Sequence, residues 1–149
     1  MTLQILSFTL AGELCGIPAL DVQTVIRASR HQLTPVPHAA APVLGIMTLR
    51  GRIAAAISLR RCLGLPDPPL GAQNSMALVI EDGPEIYCLA VDSVGDVFRF
   101  DGDPAPPPAS LGAGWRQFVT GVWPVGEALL AQIDARAIIA TLAREVEAT

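Results

Sequence analysis

The sequence contains no lysine: its ten cations are all arginine, set against 14 acidic residues for a net charge of -4. Holding nucleic acid needs a positive field over the phosphates, and this balance does not supply one, although a local arginine patch stays open. Charged residues are also scarce at 16% and aromatics at 5%, while hydrophobic residues reach 51%, so most of the chain has to be packed away. No apolar run approaches the roughly 18 residues of a membrane span. The start, Met1-Thr2-Leu3-Gln4-Ile5, lacks the basic and apolar regions of a signal peptide. Direct membrane insertion is therefore not expected. Cysteine is sparse and odd in number: Cys15, Cys62 and Cys88 each sit among apolar neighbours, the pattern of buried thiols in a reducing cytoplasm. His31 and His38 lie far from any cysteine or carboxylate with ligand spacing, so no metal site is expected. Gly112-Ala113-Gly114 follows prolines and precedes no convincing helix, so no phosphate loop or cofactor is expected either.

What is present is alternation and punctuation. The 149 residues suit one domain, and 13 glycines with 13 prolines point to many short elements. Leu6, Phe8 and Leu10 share a strand face, Ala11-Gly12-Glu13 makes a turn, and Leu14 to Ala19 returns as a strand bent at Pro18. Asp21 to Ile26 fits one helical turn or a kinked strand. Thr34-Pro35-Val36-Pro37-His38 reads as an extended loop. Val43 to Leu49 then delivers Arg50-Gly51 to a tight turn, with Ile53 to Ile57 as the return strand. Leu59 to Leu63 is a short helix closed by Gly64, and Leu65 to Asn74 is a connector. Strands resume at Met76 to Ile80 and Glu85 to Val91 around the turn Glu81-Asp82-Gly83-Pro84. After the proline-rich stretch Asp101 to Gly114, Phe118 to Trp123 and Ala128 to Ile133 form a last hairpin. Asp134 is placed to cap a C-terminal helix reaching Val146, with Ile138, Ile139 and Leu142 as its apolar stripe.

The two halves repeat. Cys15, Ile17, Ala19, Val22, Val25 and Arg27 align with Tyr87, Leu89, Val91, Val94, Val97 and Arg99 at a constant offset of 72. Gly45-Ile46 and Ile57-Ser58-Leu59-Arg60 align with Gly121-Val122 and Ile133-Asp134-Ala135-Arg136 at an offset of 76. The expected architecture is mainly β: two packed antiparallel barrels with short helices and a C-terminal helix. They form one domain over 1–149, with subdomains at roughly 15–64 and 76–133 that the terminal segments complete.

The ordered set Gly16-Ile17-Pro18, Val22-x-x-Val25, Thr34-Pro35-x-Pro37, Gly45-Ile46-x-x-Leu49-Arg50-Gly51, Leu59-Arg60-Arg61-x-Leu63-Gly64, Val91-Asp92-x-Val94-x-x-Val97 and Gly121 resembles the CheW family from roughly Leu3 to Leu142. That resemblance implies two five-stranded SH3-like barrels and a stand-alone, non-enzymatic, cytoplasmic adaptor at membrane-bound receptor arrays. It also implies two partners, the cytoplasmic tip of a chemoreceptor and the regulatory domain of a CheA-type histidine kinase. A module of the same fold serving pilus or developmental output is the alternative. The implied receptor- and kinase-binding residues are Val22, Thr24, Val25, Gly45, Leu49 and Arg50. Thr24 stands where the family often has an acid able to pair with the hairpin arginine, and Thr48 stands where asparagine is usual.

Read from the residues alone, Arg50 is a cation that the turn does not need, whereas the glycine beside it is needed. Arg52 lies on that face or on the opposite one. Arg27 and Arg99 suit solvated strand edges. Trp123 suits the core, and Trp115 suits either an interface or packing under the loop. Asp92 resembles a catalytic carboxylate at a strand end, whereas the family resemblance implies that it caps or bonds a turn. A small barrel enzyme would need a polar pocket joining Asp92 to His31 or His38. In the second half, Val125-Gly126 stands where the first has Arg50-Gly51.

Overall fold

Alternating burial sorts the chain into strands whose two faces serve different cores. The computed structural model describes residues 2–28, 33–67 and 75–147. The strands are β1 (Thr2–Leu10), β2 (Glu13–Pro18), β3 (Thr24–Ala28), β4 (Val43–Leu49), β5 (Arg52–Ser58), β6 (Ser75–Asp82), β7 (Glu85–Val91), β8 (Ser93–Asp101), β9 (Val119–Val125) and β10 (Ala128–Ile133). Helices α1 (Leu59–Cys62), α2 (Ala113–Phe118) and α3 (Ala135–Glu147) follow β5, precede β9 and follow β10. No helix among the described residues is long and apolar enough to cross a membrane.

Two five-stranded sheets result, ordered β8-β1-β2-β10-β9 and β3-β6-β7-β5-β4, and neither closes on itself among the described residues. The expected mainly β fold with paired five-stranded units is present, with one difference in strand direction. Each sheet contains a parallel pair, β2 with β10 and β5 with β7. Parallel neighbours need a long crossover rather than a tight turn, and the repeat supplies it by exchange. The first hairpin of each half, β1–β2 or β6–β7, is built into the sheet of the other half. Sheet membership therefore does not follow the spans 15–64 and 76–133.

The repeat offsets reproduce the pairing register. Ala55 opposite Tyr87 and Ala131 opposite Cys15 are the same pair in the two sheets. So are Ile26 with Ala77 and Phe98 with Ile5. Even the bulge recurs, since Val43 pairs Ile57 and Gly45 pairs Ala56 in one sheet, as Val119 pairs Ile133 and Gly121 pairs Gln132 in the other.

Among the described residues three apolar clusters form, one inside each sheet and one between them. Met47, Ala54, Ala77, Val79, Ile86 and Cys88 fill the inside of the first sheet, with Ile26 and Leu49 packed on them from its two edge strands. Ile5, Trp123 and Leu130 fill the inside of the second, with Phe98 and Phe100. Trp123 stacks on Phe100 at 4.7 Å between ring centroids and donates its indole N–H to Gln132 Oε1 at 2.8 Å. Outward residues of both sheets, among them Phe8, Ile17, Leu78, Leu89, Ile57 and Ile133, meet Ile138, Ile139 and Leu142 of α3 in the central cluster. The expected core roles of Trp123 and of the α3 stripe are thus observed.

Local chemistry sets the ends. Asp134 Oδ1 accepts from the Ala137 N–H at 3.1 Å, capping α3 as expected. Ser58 Oγ accepts from the Arg61 N–H at 3.2 Å to start α1. Asp21 to Ile26 resolves into the end of a 3-10 turn (Ala19–Asp21) followed by β3. The expectation of no helix after Gly112-Ala113-Gly114 is overturned by α2, which takes Phe118 out of the expected strand. Tertiary packing decides this point. A Cβ on Gly114 would lie 2.7 Å from the Leu63 carbonyl oxygen, so only glycine lets α2 seat on the end of α1. Trp115, carried by α2, is half-buried against the central cluster.

Gly45 and Gly121 are equivalent and do the same job. A Cβ on Gly45 would stand 2.7 Å from the Thr34 carbonyl oxygen, and one on Gly121 2.6 Å from Pro104 Cβ. The absent side chains let the proline-containing loops bridge the sheet edges as Thr34 with Ile46 and Ala105 with Val122. Gly45→Ala is expected to lower unfolding stability by about 2 kcal/mol, the range for overpacked sites, as read by urea denaturation.

Candidate functional site

Leu49 pairs directly with Arg52, leaving Arg50 and Gly51 as a two-residue loop. Both have positive φ, 53° and 80°, the signature of a type I′ hairpin turn. Gly51 adopts it freely, whereas Arg50 occupies a position that favours Asn, Asp or Gly. The Arg50 side chain is exposed and makes no hydrogen bond or ion pair among the described residues. Offset 76 puts Gly126, not Val125, in the place of Arg50, because Val125 pairs Ala128 as Leu49 pairs Arg52. Of the Gly126-Glu127 loop only Gly126 has positive φ, at 58°. The two tips therefore differ in turn type as well as in charge.

Arg52, whose direction the sequence left open, reaches across the exposed surface to the neighbouring hairpin. Its Nη1 donates to Glu81 Oε1 at 3.0 Å and its Nη2 to the Pro84 carbonyl at 2.8 Å. The same Glu81 oxygen accepts from Gln23 Nε2 at 2.8 Å. Gln23 lies between Val22 and Thr24, and its backbone N–H is held by the Val79 carbonyl at 2.8 Å. In this way the structure brings the start of β3, with half-buried Val22, Thr24 and Val25, to the hairpin that carries Arg50. Leu49, next to the tip, is half-buried against the inner cluster, while Gly45 is buried further along β4 against the Thr34 loop. Sequence reasoning missed Glu81 and Gln23 as site residues. Glu81 meets Arg52 across 29 residues and Gln23 across 58, and no local pattern announces either contact.

Asp92 does bond a turn. Its Oδ2 accepts from the Ala11 N–H at 2.8 Å, while Arg60 grips both carboxylate oxygens at 2.8 and 2.5 Å. Partial burial alone raises this carboxyl, but the Arg60 hydrogen bonds, then the Ala11 N–H, outweigh it and hold the group below the ordinary carboxylate range. His38 is exposed on its loop and His31 lies outside the described residues. A recess of 230 Å³ between the helices, lined by Arg61, Cys62, Phe118 and Leu142 among others, contains neither Asp92 nor His38. Cys15 and Cys88 are buried and Cys62 half-buried, none in a disulfide. Burial pushes the Cys15 thiol up to about 12, with Glu13 and Asp92 adding to the shift. Arg27 and Arg99 are exposed on β3 and β8, each at the end of its sheet order.

Because Asp92 is depressed in the folded state, its contribution is fully present above the unfolded carboxylate value near 3.9. It is lost as pH falls through the lower folded value. Asp92→Asn is expected to cost about 2 kcal/mol at pH 7, in the range for charged hydrogen bonds. The gap to wild type should narrow in urea titrations below about pH 4.

With this geometry in place, comparison with known proteins is specific. Residues 4–143 match the family described as the CheW-like domain. The chain is 28% identical to the chemotaxis protein CheW of Klebsiella aerogenes over 141 residues, 93% of this chain and 82% of that one. It superimposes on the crystal structure of the scaffolding protein TtCheW from Thermoanaerobacter tengcongensis with a TM-score of 0.75 and 27% identity, covering 90% of both chains.

Proposed function

The chain belongs to the CheW family, and from that premise we propose that it couples the cytoplasmic tip of a chemoreceptor to the regulatory domain of a CheA-type histidine kinase. Its role as a chemotaxis scaffold follows from the family, the relative and the structural neighbour together. The finer assignment gives each partner a face of the first sheet. The receptor tip meets Arg50 with Val22, Thr24 and Val25. The kinase domain, of like fold, meets the β4–β5 side, where Ile53 is 71% exposed. The work is geometric: the adaptor holds the kinase against the receptor so that small receptor shifts reach it, through weak contacts multiplied across an array on the cytoplasmic side of the membrane.

One observation carries this reading. Arg50 sits in a backbone conformation that costs about 1 kcal/mol for a residue with a Cβ, and its side chain has no partner among the described residues. A free cation kept at a cost to stability is what a contact residue looks like. The equivalent tip has a glycine and no such cost.

Two variants test it with purified receptor-tip fragments and kinase regulatory domain in calorimetric titrations. Arg50→Glu is expected to weaken receptor binding about tenfold or more while kinase binding persists. Arg50→Gly is expected to weaken receptor binding too, yet raise unfolding stability by about 1 kcal/mol. If the wild type binds neither partner, the coupling role fails. If it binds both and Arg50→Glu alters neither, the assignment of Arg50 fails.

A further inference from the structure

We infer that Glu81 is a positioning residue for the Arg50 tip, its carboxylate locking the β4–β5 hairpin against the start of β3 so that the cation and the valines meet a partner in fixed relation. The inference rests on the reading of Arg50 as a receptor contact. In the strand order β3-β6-β7-β5-β4, β7 separates Glu81 on β6 from Arg52 on β5, so no backbone pairing joins the tip to β6 directly. One oxygen, Glu81 Oε1, closes that gap by accepting from both Arg52 and Gln23. The second Arg52 nitrogen is held by the Pro84 carbonyl, which anchors the guanidinium at two points on the β6–β7 hairpin. Gln23 in turn precedes Thr24 in the chain and is pinned by its own backbone bond to Val79.

The internal repeat supplies an independent comparison. The positions equivalent to Glu81, Gln23 and Arg52 are Thr9, Gly95 and Ala128. Thr9 bonds Ser93 instead, at 2.6 Å, and among the described residues no ion pair ties that tip to β8. The lock is present where the tip carries an unpaired arginine and absent where it carries Gly126-Glu127. Consuming Arg52 in the lock also leaves Arg50 as the single free cation of the hairpin among the described residues.

Positioning and simple charge shielding predict opposite results. Glu81→Gln frees Arg52 and adds positive charge at the tip. If Glu81 only shielded the tip, an acidic partner would bind this variant more tightly. The variant Glu81→Gln/Arg52→Gln removes the lock with no change in net charge. It is expected to bind the receptor-tip fragment roughly two- to fivefold more weakly, the scale of an exposed ion pair acting through preorganisation. Its thermal midpoint should be unchanged, and the ¹⁵N order parameters of Arg50 and Gly51 should fall. Tighter binding by Glu81→Gln, or unaltered binding by the charge-neutral double variant, overturns the inference. If the double variant is unaltered while Arg50→Glu loses binding, only the role of Glu81 falls. If Arg50→Glu is silent as well, the reading of the tip falls with it.

Discussion

Two parallel strand pairings, β5 against β7 and β2 against β10, are what the rest of the structure depends on. Each joins a strand of one half to a strand of the other, so each sheet is complete only when both halves are present. β6 and β7 bury the inner cluster with one face and the central cluster with the other. The pairings therefore also bring the apolar layers into register with one another. A chain joined in this way has many contacts between residues far apart in sequence, which costs loop-closure entropy early in folding. The consequence is mutual support, since loosening either sheet strips a hairpin from the other.

The sequence showed the equivalence of the halves but not their exchange, and the reason is physical. An offset of 72 or 76 says that Cys15 and Tyr87, or Ala55 and Ala131, occupy matching environments. It is silent on whether Ala55 lies beside its own half's β2 or the other's β7, because both present the same alternating pattern to a neighbour. Val94 and Val97, three apart in sequence, both lie on β8, whose pairing with β1 is broken by a bulge between Leu6 and Phe8. α2 was invisible because it is seated by the missing side chain of Gly114 rather than by any helical periodicity. Arg50 stood out because a tight turn explains its glycine and not its arginine. The link from its hairpin to Gln23, between Val22 and Thr24, runs through Glu81, a contact with no local signature.

The two tight hairpins that place a residue with a Cβ in left-handed backbone share a form of support. Ala11, with φ of 51°, gives its N–H to Asp92, which Arg60 grips from α1. Arg50, with φ of 53°, is followed by Arg52, gripped by Glu81. The corresponding turns of the second half begin with Gly83 and Gly126 and need no such brace. Conformational cost and ionic bracing thus fall together on the first hairpins of the two kinds. The better buried pair, Arg60 with Asp92, joins the halves, and the more exposed pair, Arg52 with Glu81, shapes a surface.

The exchanged hairpins make the architecture that of a domain-swapped dimer carried on one polypeptide. In a dimer of identical subunits any substitution at a hairpin tip appears twice, and a contact chosen for one partner is imposed on both ends of the particle. Joining the subunits covalently lifts that restriction while leaving the shared scaffold intact. One tip is then free to hold a strained arginine and its acidic brace, while its twin relaxes to glycine. A symmetric frame with an asymmetric pair of ends has a direction, and a scaffold that must tell one neighbour from another needs one.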